Sequence, residues 1–191
     1  MSSPSRAAST PLIPELEDLR RQFQAIRKDA EALTSGMSDQ QFNWRPAPGR
    51  WSIAECFHHL VRSGERDLDA ISGGIERGRA EGLLSQGPFR HGFLGTWFAG
   101  SVEPPAKIRL KAPKNIAPAS DHTVSTLTPT LLAIQDRLIQ ALSKANGLDL
   151  ARIKVASPVP LLKLDLTQRF SLVAGHERRH LYQAKQVKSA M

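Results

Sequence analysis

The chain has 191 residues, of which 40% are hydrophobic and 23% charged, and a formal net charge of +8. This length supports one substantial core and is short for two, so we predict a single domain over residues 11–191. The longest apolar stretches fall well short of the roughly 20 residues of a membrane span, which excludes an integral membrane protein. We therefore expect no membrane partner and a cytoplasmic location.

The first predicted element is a disordered tail over residues 1–10, which are rich in Ser and lack the apolar core of a signal peptide. Beyond the tail, the cysteine content limits the kinds of site that the chain can build. Cys56 is the single cysteine, which excludes an internal disulfide and a Cys-rich metal site. Any metal site must therefore be made of His and carboxylate side chains.

Apolar residues recur at three- and four-residue intervals in four segments, as expected of long amphipathic helices. The first helix is predicted over residues 14–35 and ends at Gly36. The second begins at a capping box formed by Ser52 and Glu55, and we expect it to end at the glycine pair at residues 73–74.

The third helix is predicted to begin with Thr128 as its cap and Pro129 in its first turn, and to end at residues 146–147, which are Asn-Gly. The fourth is predicted to begin near Asp165, with a glutamine three residues further on, and to run to about Lys188.

Between the second and third helices, residues 85–121 contain too many prolines for a helix and too many residues for a tight turn. We predict a long Pro-rich loop here, in which KIRLK, residues 107–111, forms a short extended segment. The predicted fold class is all-α, an antiparallel four-helix bundle. Such bundles often form a homodimer, although the sequence does not locate an interface.

The positive charge is spread along the chain, and only KIRLKAPK, residues 107–114, is locally dense. Aromatic residues do not alternate with these basic residues as they would in a groove for single-stranded nucleic acid. We therefore interpret the charge as solvated basic faces and a positively biased pocket mouth, and nucleic acid is not the partner we expect.

The fourth helix contains HERRH, residues 176–180. On a helix, His176 and His180 lie one turn apart on the same face, with about 5–6 Å between their Cβ atoms, and can bind one ion. Both side chains are predicted to point toward the bundle interior, where imidazole nitrogens need either hydrogen bonds or a metal. The spacing alone leaves both possibilities open.

HERRH also matches the His-Glu-x-x-His motif of zinc proteases, in which the glutamate is a general base. These proteases usually take their third ligand from a residue downstream, but no His, Asp or Glu follows His180. A third ligand must therefore come from upstream. His91 and His122 lie in or beside the loop and are expected at the surface, so His58 and His59 on the second helix are the candidates.

Three stretches, NWRPAPGRWSIAECFHHLVRSGER, APK and GHERRHLYQ, resemble the DinB/YfiT-like family of the DinB superfamily, whose members are regarded as metalloenzymes. The resemblance covers most of the chain. It implies His59, His176 and His180 as ligands of a divalent transition metal, most readily zinc or nickel. The helical wheel alone would favour His58, which lies nearer than His59 to the apolar stripe of the second helix.

The resemblance also implies a metal-dependent enzyme, either a low-molecular-weight-thiol S-transferase or isomerase, or a hydrolase. The expected substrate is a small molecule, such as an anionic thiol. A low-molecular-weight thiol is also a candidate cofactor, attracted by Arg50, Arg62, Arg66 or Arg178 at the pocket mouth. The alternative hypothesis is a non-catalytic helical bundle that binds nucleic acid in a DNA-damage response.

Two further residues could take part in the chemistry. Glu177 is the predicted catalytic residue, because it lies about 100° around the helix from His176 and could act as a general base beside the ion. Its other interpretation is a solvated salt bridge with Arg178. Cys56 lies one turn before His59 on the second helix, where it could approach the metal or pack as a small apolar residue.

Overall fold

The computed structural model describes residues 11–105, 121–159 and 161–191. These ranges are mostly helical. The long helices are α1 (Pro14–Thr34), α3 (Ile53–Ala80), α5 (Val124–Ala145) and α6 (Leu166–Lys188). The shorter elements are α2 (Asp39–Asn43), α4 (Phe93–Ser101), and the strands β1 (Lys154–Ala156) and β2 (Lys163–Asp165).

The four long helices pack around one hydrophobic core. Helix α1 contacts α5 and α6, and α3 contacts the same two helices. An edge-to-face ring pair, Phe23–Phe170, joins α1 to α6 with 6.3 Å between ring centroids. A second pair, Phe42–Phe57, attaches α2 to α3 at 5.6 Å. The predicted all-α class is confirmed.

Capping boxes fix the N-termini of the two helices that carry the HERRH and CFHHL motifs. In α3, the Glu55 N–H donates to Ser52 Oγ at 3.1 Å and the Ser52 N–H donates to Glu55 Oε2 at 2.8 Å. In α6, Asp165 and Gln168 form the same reciprocal pair. Both starts are therefore confirmed, and both are determined by local sequence.

Replacing Ser52 by alanine is expected to destabilise the protein by about 1 kcal/mol, since the buried Glu55 N–H would lose its acceptor. Urea unfolding followed by circular dichroism measures the effect. The exposed Ser143, inside α5, is the matched position, and Ser143→Ala should leave stability unchanged or slightly raised. Equal effects at the two positions would contradict the capping role.

The predicted end of α3 at the glycine pair is wrong, because the helix continues to Ala80. A Cβ on Gly74 would lie 2.7 Å from Val155 Cγ2, and one on Gly78 would lie 2.3 Å from Ile153 Cδ1. These glycines therefore allow the β1 region to pack closely against α3 and do not end the helix.

The predicted start of α5 is also wrong, since the helix begins at Val124 and contains Pro129 in its interior. Contacts from α2 hold the earlier turn in place. The Val124 N–H donates to Asp39 Oδ1 at 2.8 Å, and the N–H groups of residues 121 and 122 both donate to Asn43 Oδ1. Tertiary hydrogen bonds thus let the helix begin before Thr128, the residue at which the local signal placed its cap.

The sequence did not predict α2, α4 or the antiparallel β1–β2 hairpin, in which Val155 pairs with Leu164. Helix α4 lies inside the predicted Pro-rich loop. The predicted tail at residues 1–10 and the KIRLK segment lie outside the described residues. No helix in the described ranges is long and apolar enough to span a membrane.

Candidate metal centre

Three histidines from two helices meet at the seam between α3 and α6. His59 comes from α3, His176 and His180 come from α6, and one nitrogen atom of each ring lies within 4.8 Å of the others. The two Nε2 atoms of His59 and His176 are 3.2 Å apart. His59 is buried, whereas the other two rings are partly exposed. The cluster is therefore built into the fold but reachable from solvent.

The structure brings His59 to this cluster and turns His58 away. The His58 ring packs against His122, with 4.4 Å between ring centroids. Two turns after His59 on α3, Asp67 is also directed at α6, where it pairs with Arg169. The face of α3 that meets α6 is thus partly polar and distinct from the apolar stripe, which explains why the helical wheel favoured the other histidine.

The spacing of the histidines fits a transition ion. With metal–nitrogen distances of about 2.0–2.1 Å and tetrahedral angles, two ligand nitrogens lie about 3.3 Å apart. The observed distance between His59 Nε2 and His176 Nε2 is 3.2 Å. An imidazole–imidazole hydrogen bond would also bring these two atoms together. It would not account for His180, whose buried Nδ1 has no hydrogen-bond partner among the described residues.

Burial keeps the imidazoles in the form that binds metals. The pKa of His176 is lowered to about 3, mainly by desolvation and to a smaller extent by the nearby His59, Arg179 and Arg169. Desolvation likewise holds the pKa of His180 well below its usual value. These two rings are therefore neutral at physiological pH, with a lone pair available for an ion.

Trp51 is a part of the centre that the sequence analysis missed. Its ring stacks on His180 with 5.5 Å between centroids and an interplanar angle of 17°. It also contacts His59 at 5.2 Å. The capping box that follows fixes the backbone next to Trp51, so the α3 N-terminus also helps to orient two of the rings. The signal in the sequence that could have indicated this role is the position of Trp51 directly before Ser52, the N-cap of α3.

Glu177 is buried, so the interpretation that it forms a solvated salt bridge is wrong. Gln135 Nε2, on α5, donates to Glu177 Oε1 at 2.7 Å. Desolvation raises the pKa of the Glu177 carboxyl to about 8, against the lowering effect of the Gln135 hydrogen bond. The carboxylate is not part of the three-histidine group, so its catalytic role remains a prediction.

Two other candidates lie outside the three-histidine group. Cys56 is fully buried in the hydrophobic core, and desolvation raises the pKa of its thiol above the usual range, which favours the packing interpretation. Arg178 pairs with Glu103 and donates to Gln22, whereas the charge of Arg179 reaches His176 and His180. Arg179 was not among the basic residues predicted at the mouth.

Comparisons with known proteins place the chain in a family. The model of the DinB superfamily matches residues 22–184, a range that contains all three histidines. The uncharacterized protein YuaE of Bacillus subtilis strain 168 is 25% identical over 174 residues, which cover 87% of this chain and 94% of that protein. No solved structure matches significantly. The chain therefore belongs to the DinB superfamily.

Proposed function

We propose that this protein is a metal-dependent enzyme in which His59, His176 and His180 hold one divalent transition ion, with zinc or nickel as the preferred metals. The convergence of the three ring nitrogens carries the proposal, because rings from two different helices meet at a spacing that suits one ion. The ion would supply positive charge that lowers the pKa of a water or thiol at an open coordination position.

The chain's own groups determine what can approach this position. Trp51 packs against His180 and His59, so it shields one side of the cluster. The partial exposure of His176 and His180 leaves another side reachable. The positive charge of Arg179 lies close enough to affect both rings and would attract an anionic substrate.

Between the two reaction classes, we favour transfer or isomerisation involving a low-molecular-weight thiol. Among the residues that the structure describes, the group that could hold the ion contains no carboxylate, so it does not itself supply a general base for hydrolysis. A thiol needs less assistance than water, because the pKa of a free thiol, about 8.5, is far below that of water. Hydrolysis is the second candidate, and Glu177 is the residue through which it would act.

We further propose that the four long helices form one antiparallel four-helix-bundle domain in a cytoplasmic protein. The pairing of α1 and α3 with α5 and α6, around a core shared by all four, supports this arrangement. A nucleic-acid-binding role would not depend on the histidine cluster, so it can be separated from the enzyme hypothesis by experiment.

The test compares metal-depleted protein with protein reconstituted with zinc or nickel. Consumption of a small anionic thiol is measured in the presence of an alkylating electrophile, and ester hydrolysis is measured in parallel. We expect thiol consumption that requires the ion and is lost in His180→Ala. Stoichiometric metal without metal-dependent turnover of either kind would contradict the enzyme proposal. Salt-sensitive DNA binding that His180→Ala leaves intact would support the alternative.

A further inference from the structure

A buried ion pair crosses the seam between α3 and α6 on the same side as the three histidines. Arg169 of α6 donates from Nη2 to the Asp67 carboxylate of α3, and the two residues are 4% and 8% exposed. The ion pair Glu65–Arg137, which joins α3 to α5, is half-exposed instead. Burial makes the Asp67–Arg169 pair the more consequential of the two, because a buried charge that loses its partner costs far more than an exposed one.

The ion pair and the histidine cluster lie at matching distances along both helices. Asp67 follows His59 by eight residues on α3, and Arg169 precedes His176 by seven residues on α6. At a rise of about 1.5 Å per residue, these separations are about 12 Å and about 10 Å. The two helices therefore run in opposite directions, and one axial position of α6 against α3 satisfies both contacts. A slide of one helix along the other breaks both contacts together.

Other side chains along the seam constrain this axial position less strictly. Ser63 is the next residue after His59 on this face of α3, and its hydroxyl donates to the His59 carbonyl of the same helix at 2.8 Å. Val173 has the corresponding place on α6 and is buried in the hydrophobic core. Apolar packing is non-directional, whereas a buried, hydrogen-bonded ion pair tolerates little displacement. The ion pair is therefore the contact beside the cluster that restricts sliding most.

The Asp67 carboxylate and the Arg169 guanidinium depend on each other. The charged side chains that act on Asp67 are Arg169 and Arg66, and Asp67 in turn acts on Glu177. Desolvation raises the pKa of Asp67, and the two arginines oppose this effect. Arg169 Nε is buried and has no hydrogen-bond partner among the described residues, so the bond to Asp67 is what holds the guanidinium there.

We propose that the Asp67–Arg169 pair is a positioning element for the histidine cluster. It fixes the axial register of α3 against α6, and thereby the distance at which His59 meets His176 and His180. The inference rests on the proposed metal-binding function, because a binding constellation must be held within about 0.5 Å of its productive geometry. The 3.2 Å between the Nε2 atoms of His59 and His176 is the distance that this register maintains.

The positive charge of Arg169 offers a second interpretation, which makes the opposite prediction. Desolvation is the main cause of the low pKa of His176, and the charge of Arg169 adds to it. The same charge would repel a divalent ion held by that ring. If charge were the main effect of Arg169, removing the guanidinium would strengthen metal binding. If the pair fixes the register, removing the pair weakens metal binding although a repulsive charge is lost.

The double variant Asp67→Leu/Arg169→Met separates the two interpretations. Replacing a buried ion pair by apolar residues of similar volume is often neutral or stabilising, so the free energy of unfolding should match or exceed that of the wild type. Zinc affinity, measured by competition with a chromogenic chelator, should nevertheless fall about tenfold or more, as for other groups that orient a metal ligand. The matched control Glu65→Leu/Arg137→Met should keep wild-type affinity.

A conservative variant and a metal-free readout complete the test. Arg169→Lys keeps a cation that can bond Asp67, so its zinc affinity should lie between those of the wild type and the double variant. Zinc binding by the double variant that is as tight as in the wild type, or tighter, would overturn the proposal.

A wild type that takes up no zinc would instead contradict the proposed function. The register is then read in metal-free protein from the distance between spin labels at Asp69→Cys on α3 and Gln186→Cys on α6, both exposed positions. Cys56 is fully buried and takes no label. A label distance that shifts or broadens in the double variant supports the proposal, and an identical distance overturns it.

Discussion

Replacement of His176 by alanine is expected to weaken metal binding by at least about 100-fold. Changes to groups that merely orient a ligand typically cost 10- to 100-fold in affinity, and loss of a ligand itself should cost more. His59→Ala and His180→Ala should behave in the same way, because each ring supplies one of the three nitrogens that lie within 4.8 Å of one another. Elemental mass spectrometry after reconstitution and competition with a chelator measures the affinity.

The matched control is His58→Ala, which removes the neighbouring imidazole on the same helix. Because that ring packs against His122 and is not one of the three grouped histidines, His58→Ala should retain wild-type metal content. If His58→Ala lost the ion and His59→Ala kept it, the α3 ligand would be misassigned. Full metal content in all three cluster variants would rule out the site.

The second large effect is expected from Glu177→Gln in metal-free protein. The Glu177 carboxyl has a pKa of about 8 in the folded state against a reference value of 4.5. The folded state therefore holds a proton that the unfolded state releases between these two pH values, and the stability of the wild type falls as pH rises through this window. A shift of this size corresponds to about 5 kcal/mol, taken as an order of magnitude.

Glutamine cannot ionise, so Glu177→Gln should remove this loss of stability. The variant should resemble the wild type near pH 5 and exceed it by several kcal/mol at pH 9. Its amide also offers a donor for Gln135 Oε1, a buried atom without a partner among the described residues. Urea unfolding of chelator-treated protein across this pH range measures the effect.

Glu76→Gln, at an exposed position on α3, serves as the control for removing a carboxylate and should change the pH dependence little. A wild-type stability that stays constant between pH 5 and pH 9 would show that Glu177 is already ionised in the fold. A neighbouring cation such as Arg178 would then have to compensate its charge.

The elements that the sequence predicted well depend on short-range chemistry. An amphipathic stripe with a helical period must be buried on one side, which located the four long helices. The capping boxes at Ser52 and Asp165 satisfy backbone N–H groups within three residues. The pairing of His176 with His180 is also local, because one helical turn separates them whatever surrounds the helix.

The elements that the sequence predicted poorly depend on packing between distant segments. Gly74 and Gly78 lie inside α3 because the β1 region approaches them, and Pro129 lies inside α5 because α2 holds the preceding turn. The hairpin and α4 are short elements within Pro-containing connections. Their formation depends on a small cluster of side chains that are far apart in sequence.

The sequence by itself determined the helical class and the HERRH pair, and its family resemblance supplied His59 as the third candidate ligand. Only the tertiary structure decided that His59 and not His58 meets that pair, that Glu177 is buried against Gln135, and that Arg179 acts on the histidines. The physical reason is that adjacent residues on a helix point about 100° apart, so the direction in which each side chain points is fixed by periodicity. The groups that each side chain meets there are set by neighbouring helices, which only the assembled fold specifies.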